Sequence, residues 1–388
     1  MTGIPWLLHG LLVLSCLISD ASAIYTPLRE YAGNTFFDNW AYYGNVDNTT
    51  WGNVTFVDKD AATQKKLTYV NDAGNAVVKV DDLTTIAPAQ LVNRDTIRLT
   101  SLHSYGVGTL ILIDAVHIPY GCSVWPSFWT YGIEQEWPLA GEIDIIEGIN
   151  GMENNQVALH ALGGCLKAEV PGQQTGVTIE GDCSKPQGCL VAETKPNSFG
   201  MGFAKAGGGV FALQMEESGI YSWFWSRPDI PANVQNGQFS SQSIDTSRWG
   251  IPSAGYPSSR CNITQFFPPQ NLVLLTTLCG VWAGNPSIYQ QTCKTPTNSC
   301  VADNIIGPGD KFATAYWEIR YIRTYTNNNA TSQSPSDSTS KGPSVITKTV
   351  TVSATVQDTA ATSNGAHAQR HKPLGMLWIL YCLVFFWR

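Results

Sequence analysis

Glu142, Asp144 and Glu147 stand within six positions of the stretch AGEIDIIEGIN, residues 140–150, with isoleucines between them. Three carboxylates so close repel one another, and apolar neighbours withhold the water that would relieve them. Glu142 and Asp144 are two apart and share one face of a strand. Glu147 falls on the opposite face unless one extra residue intervenes, and a β-bulge at Ile145-Ile146 supplies it. The bulged span is worth about four strand steps, ~13 Å. Side chains leaning together would bring the Glu142 and Glu147 carboxyl groups to about 5 Å, the spacing of a nucleophile and a proton donor in glycoside hydrolysis with retention. A calcium site or a solvated acidic strand would use the same residue types.

The neighbouring segments favour a sugar. VWPSFWT, just upstream, sets Trp125 and Trp129 on one strand face; NQVALHAL puts His160 on the next strand; CGVWAGN brings Trp282 from far downstream. Aromatic platforms beside hydrogen-bonding groups suit carbohydrate binding. Taken singly, a Trp is more often core and a His more often a hydrogen-bonded structural residue.

The elements that must position these groups read with a period of two. DTIRLTSLHSY and GTLILIDAVHIP are strands; VFALQMEE and IYSWFWSR flank Ser218-Gly219 as a hairpin; NLVLLTTLC and AYWEIRYIRTYT follow. In the last of these, alternation places Trp317, Ile319, Tyr321 and Tyr325 on one face. Long helical periodicity is missing. The predicted fold is all-β, an antiparallel sandwich of jelly-roll, concanavalin-like type over residues 24–326.

Both flanks of that domain read as processing signals. Residues 6–18 are apolar and lead to Ala21-Ser22-Ala23, so 1–23 is expected to be a cleaved signal peptide. Of residues 331–363, 16 of 33 are Ser or Thr, which assigns 327–364 to an O-glycosylated stalk. Asn364-Gly365-Ala366, a polar spacer and the apolar run 374–387 fit a GPI signal, with attachment at Asn364 and residues 365–388 removed. Such a protein would sit on the outer face of the cell membrane or in the wall. Eight cysteines remain between the flanks: Cys122, Cys165, Cys183, Cys189, Cys261, Cys279, Cys293 and Cys300. An even count in a secreted chain predicts disulfides. Cys183 with Cys189, and Cys293 with Cys300, could each close a short loop. Sequons at Asn48, Asn53, Asn262 and Asn329 predict N-glycans. The formal net charge of -7 excludes nucleic acid as a natural partner.

WPSFWT…WPLAGEIDIIEGIN closely resembles the active-site region of glycoside hydrolase family 16. The E-x-D-x-x-E spelling is similar to that of the laminarinase-type, fungal endo-1,3(4)-β-glucanase branch. The resemblance extends to NQVALH, CGVWAG and YWEIRYIRTY. It implies a jelly roll with an open cleft and endo-hydrolysis of β-1,3 and mixed β-1,3/1,4 glucan by double displacement. It implies Glu142 as nucleophile, Glu147 as general acid/base and Asp144 as the carboxylate beside the nucleophile. Trp129, His160 and Trp282 match substrate-site positions. No cofactor and no catalytic metal are implied, a structural calcium ion is compatible with the fold, and a monomer is expected. The added acidic stretch EQEWPL and the loop 165–189 depart from the family pattern. Rival readings are a wall transglycosylase of the same fold, a non-catalytic glucan-binding module and a structural surface protein.

Overall fold

The computed structural model describes residues 24–327, apart from positions 91, 236, 237 and 296. The expected signal peptide 1–23, the stalk beyond residue 327, Asn329, Asn364 and the segment 365–388 lie outside the described residues.

Two large antiparallel sheets form the domain. One contains, edge to edge, Val177–Thr178, Cys189–Ala192, Gln156–His160, Glu142–Glu147, Val124–Tyr131, Gln270–Leu278, Arg98–Tyr105 and Trp40–Tyr42. The other runs Ile244–Asp245, Ile24–Ala32, Tyr316–Thr326, Thr109–His117, Gly209–Glu216, Gly219–Ser226 and Ala254–Pro257. Ile143, Phe128, Leu272 and Leu274 from the first sheet meet Ile111, Ile113, Phe211, Leu213 and Trp317 from the second in one buried cluster. Each such side chain contributes roughly 1.5–3 kcal/mol by leaving water. Because this contact consumes one face of the first sheet, residues of opposite parity project from its other face. That outward face carries the carboxylates. The predicted all-β sandwich is the fold observed.

Two expectations need correction. In Tyr316–Thr326 the register with Thr109–His117 shifts between Glu318 and Ile319 and again between Ile319 and Tyr321. Trp317 and Ile319 therefore share the inter-sheet core with Ile322, while Tyr325 and the half-buried Tyr321 join a separate cluster with Trp223, Trp225 and Trp249. Strict alternation fails because an irregularity inverts the facing of everything beyond it.

Cys183–Cys189 forms as expected, but Cys293–Cys300 does not. Cys293 ends the helix Pro286–Cys293 and bonds Cys122, with Cα atoms 5.7 Å apart. Cys300 bonds Cys279 at the end of Gln270–Leu278, with Cα atoms 5.8 Å apart. Cys165 pairs with Cys261. Cys293, at the end of the helix Pro286–Cys293, and Cys300, beyond it, each bond a cysteine at the end of a different strand. The two bridges thus tie the 279–300 excursion to the sheet that bears the carboxylates.

Candidate active site

The strand Glu142–Glu147 is bulged where the sequence requires it. Against Val124–Tyr131, Asp144 faces Trp129 and Ile146 faces Phe128, which leaves Ile145 as the extra residue. Against Gln156–His160, Asp144 faces Ala158 and Glu147 faces Gln156, with the shift between them. Both Ile145 and Ile146 enter the inter-sheet core. Glu142, Asp144 and Glu147 are left together on the outward face.

Such a bulge breaks the backbone ladder, and buried groups without partners are costly. Asn155, 2% exposed, repairs it. Its Oδ1 accepts from the Glu147 N–H at 2.9 Å and its Nδ2 donates to the Ile145 carbonyl at 2.9 Å. One side chain thus bridges both groups on either side of the bulge. Asn150, fully buried and at φ 54°, does a second such job. Its Oδ1 accepts from Ser123 N, and its Nδ2 donates to Ala283 O and Thr292 Oγ1. The end of the carboxylate strand is thereby joined to the segment carrying Trp282.

Each carboxylate has distinct company. Trp125 Nε1 donates to Glu147 Oε1 at 2.9 Å, and the Trp125 ring meets Trp282 edge-on at 5.3 Å. Trp137 Nε1 donates to Glu142 Oε2 at 2.7 Å. His160 Nε2 stands 3.3 Å from Asp144 Oδ2 and 4.0 Å from Glu142 Oε1. Trp129 is mostly covered: its ring stacks on Tyr131 at 5.0 Å, and the Arg98 guanidinium lies between it and Tyr43, 5.5 Å and 4.6 Å from the two ring centres. The seven residues singled out by sequence, Trp125 among them, are thus gathered on one face. Arg98, Tyr43, Tyr131, Trp137 and Asn155 join them without having been predicted. Trp137 lies within EQEWPL, where its indole was the available signal; nothing in the spacing marks Asn155.

Loops wall this face. Gly188, at φ 65°, is pressed so near His160 that a Cβ there would lie 3.0 Å from Nε2. The residues 165–189 thus abut the imidazole from one side, and the 279–300 excursion closes another. A recess of about 560 Å³ lined by Lys167, Glu169, Thr178, Asp182 and Arg260 holds none of the three carboxylates. Endo-attack on a polymer calls for an open trough, so a closed pocket at the carboxylates is not required.

Burial first, and then the charge of Asp144, push Glu147 up to about 8. Hydrogen bonds from Trp125 and Gln156 pull the other way. Burial followed by the adjacent Asp144 raises Glu142, against the opposing pull of His160 and Trp137. Burial raises Asp144 as well, with the neighbouring Glu142 pulling the other way. Three buried carboxyl groups side by side cannot all ionise freely, so the site holds at least one proton among them. Such a site can hold a protonated acid beside an ionised carboxylate, and Glu142 and Glu147 differ in their hydrogen-bonding company. Glu142, Asp144 and His160 also offer three donor atoms within 4.8 Å of one another. Two carboxylates and an imidazole are a poor set for calcium, which takes six to eight oxygens.

Residues 40–325 match the family described as "XgeA-like, catalytic GH16 domain". The chain is 34% identical over 307 residues to a probable glycosidase of Schizosaccharomyces pombe, covering 78% of this chain and 69% of that one. It is 35% identical over 333 residues to a probable endo-1,3(4)-β-glucanase of Aspergillus fumigatus, covering 81% of this chain. It spans about half of that relative, 48%. Among solved structures it resembles GH16 laminarinase 16A from Phanerochaete chrysosporium, described with β-glucans in donor and acceptor sites. The TM-score is 0.73 and the identity 32%, over 78% of this chain and all of that one. An elongating GH family 16 β-1,3-glucosyltransferase gives a TM-score of 0.71 at 36% identity, with the same coverage of both chains.

Proposed function

Because the chain belongs to glycoside hydrolase family 16, we propose that it is an endo-β-glucanase cleaving β-1,3 and mixed β-1,3/1,4 glucans with retention of configuration. The observation that carries this reading is the bulge at Ile145, which turns Glu142 and Glu147 to one face with different hydrogen-bonding company. Glu142 attacks the anomeric carbon, and the bond to the leaving oxygen breaks as Glu147 delivers its proton to that oxygen. A glycosyl-enzyme results. Glu147, now a carboxylate, takes a proton from water, whose oxygen displaces Glu142. Asp144 holds and tunes Glu142, and His160, 3.3 Å from Asp144 Oδ2, positions Asp144. Trp129, Trp137 and Trp282 bind the sugar chain around the scissile bond.

The test is the product set released by the purified protein from laminarin, lichenan and carboxymethyl cellulose, with NMR of the first anomer formed. Oligosaccharides from the first two, little from the third, and a β anomer are expected. Comparable rates on carboxymethyl cellulose, or an α anomer, would contradict the reading. A transferase reading draws on the likeness to the β-1,3-glucosyltransferase. Products longer than a supplied oligosaccharide would favour it, since transfer places a sugar hydroxyl where hydrolysis places water.

The proposal extends to location: secretion, N-glycans at Asn48, Asn53, Asn262 and Asn329, and a GPI lipid at Asn364. Asn48 and Asn262 are exposed and use Oδ1 to accept from Tyr43 and Thr264, respectively, rather than the amide nitrogen that would carry a glycan. A mature protein that still contains residues 374–388 would rule the anchor out.

A further inference from the structure

Trp51 is 69% exposed and sits at φ 57°, in the left-handed region that side chains other than glycine rarely adopt. A large indole in a strained backbone conformation persists only where its surroundings over-determine it, and such places cluster at ligand sites. Here the determinant is Asp47, 5% exposed. It accepts from the backbone N–H groups of Thr49 and Thr50 at 3.0 Å each and of Gly52 at 3.1 Å, and from the hydroxyls of Thr49 and Thr50. The loop is fixed on both sides of Trp51.

Its position follows from three contacts. Thr277 Oγ1 donates to Asp47 at 2.7 Å, and Thr277 is the cross-strand partner of Trp125, whose indole holds Glu147. A Cβ on Gly52 would fall 1.8 Å from Thr277 Oγ1, so the loop lies directly on that residue. Val281 N donates to Thr50 O at 2.9 Å. The residues immediately before Trp51 and Trp282 are therefore hydrogen-bonded to each other. The loop thus sets an exposed indole next to the segment that carries the half-buried Trp282, on the face where the carboxylates lie.

We infer that Trp51 is a distal sugar-stacking residue, which extends the glucan-binding trough beyond Trp282 and sets a preference for longer chains. This rests on the β-glucanase reading above. A β-linked glucosyl unit has an apolar C–H face that an indole covers well, and a pre-fixed loop spends no ordering entropy on binding it. The residue touches no reacting atom, so its contribution appears in binding and not in turnover.

The experiment compares the full protein with Trp51→Ala, Trp51→Phe and Trp51→Gly on β-1,3-linked trisaccharide and octasaccharide. All three leave Asn48, Asn53 and their threonines untouched. For Trp51→Ala, KM on the octasaccharide should rise about tenfold, the loss of one stacking contact, with kcat unchanged and the trisaccharide unaffected. Trp51→Phe should recover most of it. Trp51→Gly should lose binding like the alanine variant while melting no lower than the parent, since glycine accepts the backbone angle freely. Equal losses at both chain lengths, no loss at either, or a lowered melting point in every variant would overturn the assignment. If the parent cleaves the octasaccharide and Trp51→Ala is indistinguishable from it, only the role of Trp51 falls. If the parent neither binds nor cleaves either oligosaccharide, the glucanase reading falls with it.

Discussion

The two ends of the strand Glu142–Glu147 are built differently. At Glu147 the partners belong to the folded body: Trp125 is 7% exposed, Asn155 is 2% exposed, and both lie on or beside sheet strands. At Glu142 the indole partner is Trp137, 54% exposed on the segment between two strands. The contrast fits the division of labour proposed for the two residues. A general acid must keep a fixed line to the leaving oxygen, and partners from the folded body give it. A nucleophile must be reached by the anomeric carbon of a moving substrate, so its surroundings include a group that a sugar can meet from solvent. Placement in the core buys constancy at one end, and the loop gives access at the other.

Replacement of the carboxylates puts the contrast to its strongest test. Glu142→Gln should cost ~10³-fold or more in kcat on every glucan, the scale of losing a covalent nucleophile. Folding and sugar binding should survive, because glutamine keeps the shape and sheds a repelling charge. Glu147→Ala should be equally severe on polysaccharide but mild in the first step on aryl glycosides whose leaving groups need no proton. Azide should then rescue turnover by attacking the glycosyl-enzyme without a base. The assignment of roles fails if it is the Glu142 variant that keeps the aryl substrates.

Asn155 probes the buried end more gently. Asn155→Ala removes the partner of both the Glu147 N–H and the Ile145 carbonyl. Two unsatisfied buried groups should lower unfolding free energy by about 2–4 kcal/mol, read from denaturant melts. Misplacement of Glu147 should cost up to ~10²-fold in rate. Trp137→Ala, at the open end, should leave the melt within about 0.5 kcal/mol of the parent while still reducing the rate. Similar melts for the two variants would erase the proposed distinction.

Two bulged strands show how much of this was legible in advance. In Glu142–Glu147, charge exposes the irregularity: two glutamates five apart make chemical sense only with an inserted residue, and the structure has it at Ile145. In Tyr316–Thr326 the alternating set Trp317, Ile319, Tyr321 and Tyr325 is all apolar or aromatic, both faces of the strand are packed, and alternation gives no sign of the shift near Arg320. Periodicity revealed the sandwich because burying one face of a sheet leaves a two-residue pattern. Asn155 stayed hidden because its role is to pair backbone groups, which carry no sequence label. Cys293 and Cys300 misled because chain proximity was the only guide, whereas each bonds a cysteine at the end of a different strand. Trp51 and Trp137 carry a readable residue type, but what each touches depends on loop paths that no local pattern specifies.

The smallest expected effect compares the two indole hydrogen bonds directly. Trp125 donates to Glu147 and Trp137 to Glu142, and each bond favours the ionised carboxylate. Removing either donor must therefore raise the pKa of its own partner. Glu147 acts protonated and governs the alkaline limb of kcat/KM, which lies near its raised value of about 8. Trp125→Phe should move that limb to higher pH by up to about one unit, a fraction of the worth of a buried charge-assisted hydrogen bond. Glu142 acts ionised, so the Glu142–Asp144 pair governs the acid limb. Trp137→Phe should move that limb to higher pH also, narrowing the profile where Trp125→Phe broadens it. Its shift should be the smaller, because water reaches the exposed Trp137 site and replaces the lost donor. The pH dependence of kcat/KM on laminarin for the parent and the two variants decides the matter. Both variants moving the same limb would mean that the two carboxylates do not hold separate roles.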